Sequence, residues 1–250
     1  MPALCACPQP RAAALLALLV LAACDAPQAS VGLPAGGAEA PSAAPLFPAP
    51  ARPVAAIVSD QYSDEAARDR EGEAELVLSL LGVRPGMAVA DIGAGRGYYT
   101  VRLSPAVGPT GIVFANDIMA PVLARLNERA VREGLGNVRA ILGAPGNANL
   151  PPASTDLALM VHMYHEIEDP YGLLWHLHDQ LRPGGRVAIL ENDRPTSQHG
   201  TPPALLACEL AAAGFRQQET HQLPTGSYLA VFAPATRPAP EAITPCQSEG

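Results

Sequence analysis

The chain has no lysine; all 16 of its basic residues are arginine. That excludes a P-loop phosphate site, which depends on a lysine reaching the phosphates. Positive charge is also short: 24 acidic against 16 basic residues leave a formal net charge of -8. The basic stripe of a nucleic-acid surface is therefore missing. Aromatic residues make up only 4% of the chain, which leaves no obvious stacking platform for a ligand. No internal repeat is visible, and no Cys/His spacing reads as a metal site. The uncharged run Ala12 to Ala23 is shorter than the roughly 20 residues of an ordinary membrane span.

What is present divides the chain unequally. Arg11 followed by an uncharged Ala/Leu run reads as a signal segment, which sets residues 1–23 apart from the fold. The run closes with Leu21-Ala-Ala-Cys24, which resembles the lipobox of bacterial lipoproteins. That resemblance implies lipidation of Cys24 and an exported domain, anchored to the membrane on the periplasmic side of the cell envelope. A plain secretory signal with an incidental cysteine is the competing reading. Residues 24–55, rich in Ala, Pro, Gly and Ser, read as a disordered tether, and residues 236–250 as a disordered tail. Cys5 and Cys7 fall inside the signal. Cys208 reads as a small buried hydrophobe in an apolar helix, with a bridge to Cys246 the alternative in an oxidising compartment. Residues 56–235 are left as one domain with enough apolar content for a core.

That domain is organised around Met87-Ala-Val-Ala-Asp91-Ile-Gly93-Ala-Gly95-Arg-Gly97-Tyr-Tyr-Thr100. An apolar run reads as a buried strand, ends in an acid and three alternate glycines, and leads directly into a helical pattern. Strand, glycine turn and helix begin an α/β nucleotide-binding unit. The spacing is not that of a dinucleotide fingerprint, whose third glycine would fall on Tyr98. Around it the sequence predicts a helix over Asp64–Leu81 and strands at Ile112–Ala115, Val138–Leu142, Leu157–Met163 and Arg186–Leu190. Further helices are expected over Val122–Arg132, from Asp169-Pro170 and over Ala204–Ala213, before two final strands at Gln217–Leu223 and Ser227–Ala233.

Asp91-Ile-Gly-Ala-Gly-Arg-Gly resembles the first motif of class I S-adenosylmethionine (SAM) dependent methyltransferases. The likeness extends over residues 57–234, through Leu150-Pro151, Leu181-Arg-Pro-Gly-Gly185 and Ala213-Gly-Phe215. It implies an α/β Rossmann-like class I methyltransferase fold: a seven-stranded, mostly parallel sheet with a C-terminal antiparallel hairpin and helices on both faces. It also implies SAM as cofactor. Asp91 and the backbone of Gly93, Gly95 and Gly97 would hold its methionine end, Asp117 its ribose, and Ile118 its adenine. The acid that normally meets the adenine amino group is absent from Gly143-Ala-Pro-Gly-Asn147, which leaves Asn147 as the substitute.

The acceptor side of this fold lies at the end of the fourth strand, here His162-Met-Tyr164-His165-Glu166. The Asn/Asp-Pro-Pro-aromatic motif of enzymes that methylate nucleobase or glutamine nitrogens does not occur there. His165 is the candidate base, with a structural histidine the alternative; Tyr164 and Glu166 are weaker candidates. The resemblance thus implies methyl transfer to a small-molecule or lipid-like acceptor in the cell envelope. Two alternatives stand beside it, a non-catalytic nucleoside-binding module and an NAD-dependent oxidoreductase. Export also sets a problem, because SAM is made in the cytosol.

Overall fold

The computed structural model describes residues 46–58 and 64–247. The expected signal segment, Cys24 and most of the tether lie outside the described residues. Seven strands form one sheet: β1 (Ala88–Ile92), β2 (Ile112–Asp117), β3 (Val138–Leu142), β4 (Thr155–Val161), β5 (Leu181–Asn192), β6 (Phe215–Gln222) and β7 (Ser227–Pro234). Their spatial order is β3-β2-β1-β4-β5-β7-β6. The pairs among β1 to β5 are parallel, whereas β7 runs antiparallel to both β5 and β6. The expected architecture, with its terminal hairpin, is the one found.

Among the described residues six α-helices accompany the sheet: α1 (Glu65–Arg70), α2 (Glu73–Leu80), α3 (Tyr98–Val107), α4 (Ala120–Arg132), α5 (Pro170–Gln180) and α6 (Pro203–Ala212). Alternate residues of β1 serve two cores. Ala88, Ala90 and Ile92 pack with Leu173, Leu174 and Leu177 of α5 and with Leu206 and Leu210 of α6. Val89 packs on the other face with Val77, Leu103, Leu126 and Ala130 from α2, α3 and α4. Burial on both faces is why the parallel strands read as continuous apolar runs rather than alternating ones. The start of α5 follows its sequence signal: Asp169 Oδ1 accepts from Gly172 N at 2.8 Å, with Pro170 at the first helical position.

Three expectations need correction. The helix predicted over Asp64–Leu81 is broken at Gly72, which sits at φ 65° between α1 and α2. The periodicity continues through it, but a left-handed residue cannot propagate an α-helix. The fourth strand stops at Val161, because His162 turns the chain at φ 52°.

The third correction concerns the ends of the domain. Phe47 and Arg52 are buried, so ordered packing begins within the expected tether. Beyond residue 235, Trp175 Nε1 donates to Pro238 O at 2.9 Å, and Ile243 and Cys246 are buried. Cys246 is bonded to Cys208 of α6, a separation of 38 residues, so Cys208 is half of a cross-link rather than a small hydrophobe. Closing a loop of that length contributes about 4 kcal/mol through the unfolded chain. Low-complexity composition hid both segments, because each is held by a few long-range contacts rather than by its own periodicity.

Candidate active site

The carboxyl ends of β1, β2, β4 and β5 converge, and each delivers polar groups to one edge of the sheet. β1 ends at Asp91 and enters the glycine loop. Gly93, Gly95 and Gly97 all take positive φ, at 67°, 54° and 86°, a region that costs glycine little and other residues more. At Gly93 space decides as well: a Cβ there would lie 2.7 Å from Met163 Cε. Gly97 is the N-cap of α3 and lets it close against Leu126 of α4. β2 ends at Asp117, whose Oδ2 accepts from Gly95 N at 3.1 Å and Oδ1 from Met119 N at 2.8 Å.

Three cavities meet here. The first, of about 100 Å³, is lined by Gly93, Asp117, Ile118, Pro145, Met163 and Glu166 among others. The second, about 60 Å³, lies against Arg68, Asp91, Gly93, Gly95, Tyr98 and Tyr99. The third and largest, about 570 Å³, is bordered by Arg68, His162, His165, Glu166, Asn192 and His199. Gly93 borders the first two, Glu166 the first and third, and Arg68 the second and third. The predicted residues Asp91, Gly93, Gly95, Asp117 and Ile118 are therefore brought to one connected cleft.

Three predicted residues are not: Gly97 borders none of the three cavities and serves as the cap of α3, and Asn147 and Tyr164 lie elsewhere. Asn147 turns into its own loop, where its Oδ1 accepts from Asn149 N at 2.8 Å and Gln180 Nε2 at 2.7 Å; Ala144 and Pro145 face the cavity in its place. Tyr164 is wholly buried in the core on the α5 side of the sheet, beneath Arg52. It has no access to the large chamber, which removes it as a catalytic candidate.

His165 does reach the chamber. It lies in a short 3₁₀ turn, Tyr164–Glu166, after β4 and is 2% exposed. Its Nδ1 pairs with Glu191 Oε1 at 2.9 Å. Glu191, at the end of β5, is fully buried and also accepts from Tyr164 N and Asn192 N. A carboxylate on Nδ1 fixes the proton there, so that in the neutral ring the lone pair of Nε2 faces the chamber. Arg68, Glu73 and Glu191 went unnoticed in the sequence. Glu191 did carry a signal, since Asp91, Asp117 and Glu191 each follow an apolar strand at its carboxyl end, where α/β sheets bind ligands. The others have none, lying on separate helices.

Electrostatics set the carboxylates apart. Burial pushes Asp91 up to about 6, although Thr100 Oγ1 donates to it at 2.6 Å. Burial also raises Glu166, partly offset by the Val58 N–H at 3.0 Å. Burial acts on Glu73 too, but Arg68 and His162 outweigh it and hold Glu73 at about 2. Glu73 in turn accepts from Tyr99 Oη at 2.9 Å and orients Arg68 over the Tyr98 ring.

A SAM-dependent methyltransferase from Aquifex aeolicus superimposes on 66% of the chain and 92% of its own length, with a TM-score of 0.63 and 25% identity. Residues 90–189 match the family described as a methyltransferase domain. The chain has the class I SAM-dependent methyltransferase fold. Two curated relatives are a demethylmenaquinone methyltransferase from Geobacillus kaustophilus, 29% identical over 122 residues, and a ubiquinone/menaquinone biosynthesis C-methyltransferase from Hahella chejuensis, 32% identical over 117. The matches cover 49% and 46% of this chain; the chain spans about half the length of each relative, 52% and 47%.

SAM is the cofactor of this domain, and the cleft fits it. Asp117 uses one lone pair on each oxygen within the loop and retains about two more for a pair of hydroxyls. Ile92, Ile118, Ile167 and Leu173 supply an apolar bed beside it. Asp91 is a buried acid with no cation bonded to it among the described residues, and it borders the cavity on the other side of Gly93.

Proposed function

We propose that this protein transfers a methyl group from SAM to a small, lipid-like acceptor outside the cytosol. The observation that carries this reading is the chamber of about 570 Å³ opening beside the glycine-loop cavities, with the His165 ring held in it by Glu191. Bound SAM supplies an electrophilic methyl group on a sulfonium. Asp117 receives the ribose hydroxyls, Ile118 packs on the adenine, and Asp91 faces the ammonium group. His165 Nε2 takes the proton that the acceptor must lose as it becomes nucleophilic. Alignment by this rigid edge is the larger contribution, since good orientation is worth roughly 7–11 kcal/mol. The curated relatives are named for quinone biosynthesis, and a hydroxylated ring with an apolar tail is an acceptor of that kind.

Calorimetric titration of the full chain with SAM is the test. Asp117→Ala should weaken binding by about 100-fold, corresponding to the loss of two bonds to a charged acceptor. No binding to the native chain at millimolar SAM would refute the reading.

The raised Asp91 adds a pH dependence. Its folded value, near 6, lies above the ordinary 3.8. Ionisation therefore costs stability as pH rises between those values, and a cation seated against it relieves that cost. SAM affinity should fall about tenfold per pH unit below roughly 6, with proton release on binding. Asp91→Asn should bind more weakly and lose this slope. A native profile flat between pH 5 and 7.5 would place the ammonium elsewhere.

Two observations support an exported, anchored protein: the signal pattern ending at Cys24 and the Cys208–Cys246 bond, a linkage that persists in oxidising compartments. Labelled palmitate should enter the native chain in cells but not a Cys24→Ser variant. Equal labelling of both would reject the anchor.

A further inference from the structure

The large chamber holds a second arrangement that sequence spacing concealed. His165, Glu166 and His199 each offer one donor atom, and these atoms lie within 4.8 Å of one another. Two of the three are adjacent, but the third arrives from the loop after β5, at position 199. His165 Nε2 makes no hydrogen bond among the described residues, and Glu166 Oε1 stands 4.0 Å from it. A lone pair and a carboxylate that close, both behind buried side chains, leave between them a place for a cation.

We infer that His165, Glu166 and His199 form a three-ligand site for a divalent transition-metal ion of the zinc class. The donor set of two imidazoles and one carboxylate suits that class better than magnesium or calcium, which prefer oxygen. Zinc–ligand bonds of about 2.0–2.2 Å put tetrahedral ligands roughly 3.5 Å apart, so each donor needs only a small side-chain rotation to close on the ion. The outer contacts of such a site are already in place. Glu191 holds Nδ1 of His165 and aims Nε2, and Val58 N donates to Glu166 Oε1 at 3.0 Å. Carboxylate-held histidines of this kind raise metal affinity by about 10- to 100-fold. His199 sits at φ 56°, edge-on to the His165 ring at 5.5 Å, with no hydrogen bond to its ring nitrogens among the described residues. Three protein ligands leave one position open toward the chamber.

The consequence for turnover rests on the proposed role of His165: an ion on Nε2 takes the lone pair that would accept the proton. Zinc therefore inhibits methyl transfer, and a chelator restores it, whereas Asp91, Asp117 and Ile118 in the SAM cavities give the ion no ligand.

The test is equilibrium titration of the untagged, metal-stripped full chain with Zn²⁺ against a chromophoric chelator, with SAM titrated in the same samples. One ion per chain should bind, and binding should weaken about 100-fold in His199→Ala and Glu166→Gln and about tenfold in Glu191→Gln. His221→Ala, on β6 away from the chamber, should bind as the native chain does. Co²⁺ should give the strong visible absorption of a four-coordinate ion, and His199→Ala should abolish it. Thermal melts of each variant separate lost ligands from lost folding. Equal Zn²⁺ affinity in the native chain and His199→Ala would overturn the site. SAM binding that persists in that case would leave the methyltransferase reading intact.

Discussion

His165→Ala should reduce methyl transfer by about 10²- to 10⁴-fold, the range for removing a positioned general base, while SAM binding stays within about threefold of native. The argument rests on direction. Nδ1 of the ring is tied to Glu191 at 2.9 Å, so Nε2 is the atom left to meet an acceptor in the chamber. Glu191 has no exposed surface and three hydrogen bonds, from Tyr164 N, Asn192 N and the His165 ring, so the ring has little freedom to turn. Labelled SAM with an envelope lipid extract provides the assay, and calorimetry on the same preparation provides the binding control. A purely structural histidine would show its loss in the melt and in SAM affinity, not in turnover alone. Turnover within threefold of native in a folded variant would exclude His165 as the base.

Arg52→Ala should destabilise the domain by about 3–5 kcal/mol, the cost of breaking a buried ion pair by removing one partner. Arg52 Nε lies 3.0 Å from Glu209 Oε1 of α6, and neither side chain is exposed to solvent. The same guanidinium donates to the carbonyls of Tyr164 and His165, each at 3.3 Å. Its removal leaves a carboxylate stranded in the core and two carbonyls short of a donor. Activity should therefore fall along with stability, since those carbonyls belong to the turn that carries His165. A double variant, Arg52→Met with Glu209→Leu, should recover most of the stability, because replacing both ions with apolar groups of similar size avoids the stranded charge. Denaturant unfolding measures both. A loss below about 1 kcal/mol in Arg52→Ala would mean that the segment 46–58 adds little to the fold.

The legible parts of the site and the hidden ones differ in how they are held. Asp91, Gly93 and Gly95 share one strand-and-turn, and Asp117 ends the next strand, so their partners are near in sequence or fixed by parallel pairing of β1 with β2. Asn147 was placed by its position in the resemblance, but its oxygen is taken by Gln180 of α5. Tyr164 and His165 are neighbours, yet a 3₁₀ turn sends one side chain into the core and the other into the chamber. A local pattern could not separate them, because the turn is held by Arg52, more than 110 residues earlier.

By itself the sequence determined the α/β class, the order of strands, the terminal hairpin, the glycine loop and the cofactor. The class, the elements and the glycine loop follow from periodicity, turn chemistry and short-range motifs, each written within about 20 residues. The hairpin and the cofactor follow from the resemblance that those motifs carry. Only the tertiary structure decided that the low-complexity ends pack on the domain, that Cys208 pairs with Cys246, that Glu191 holds His165, and that His199 joins His165 and Glu166. Those are meetings of single residues from distant segments. Their free energy comes from burial and pairing between distant segments, and nothing in their immediate neighbours announces it.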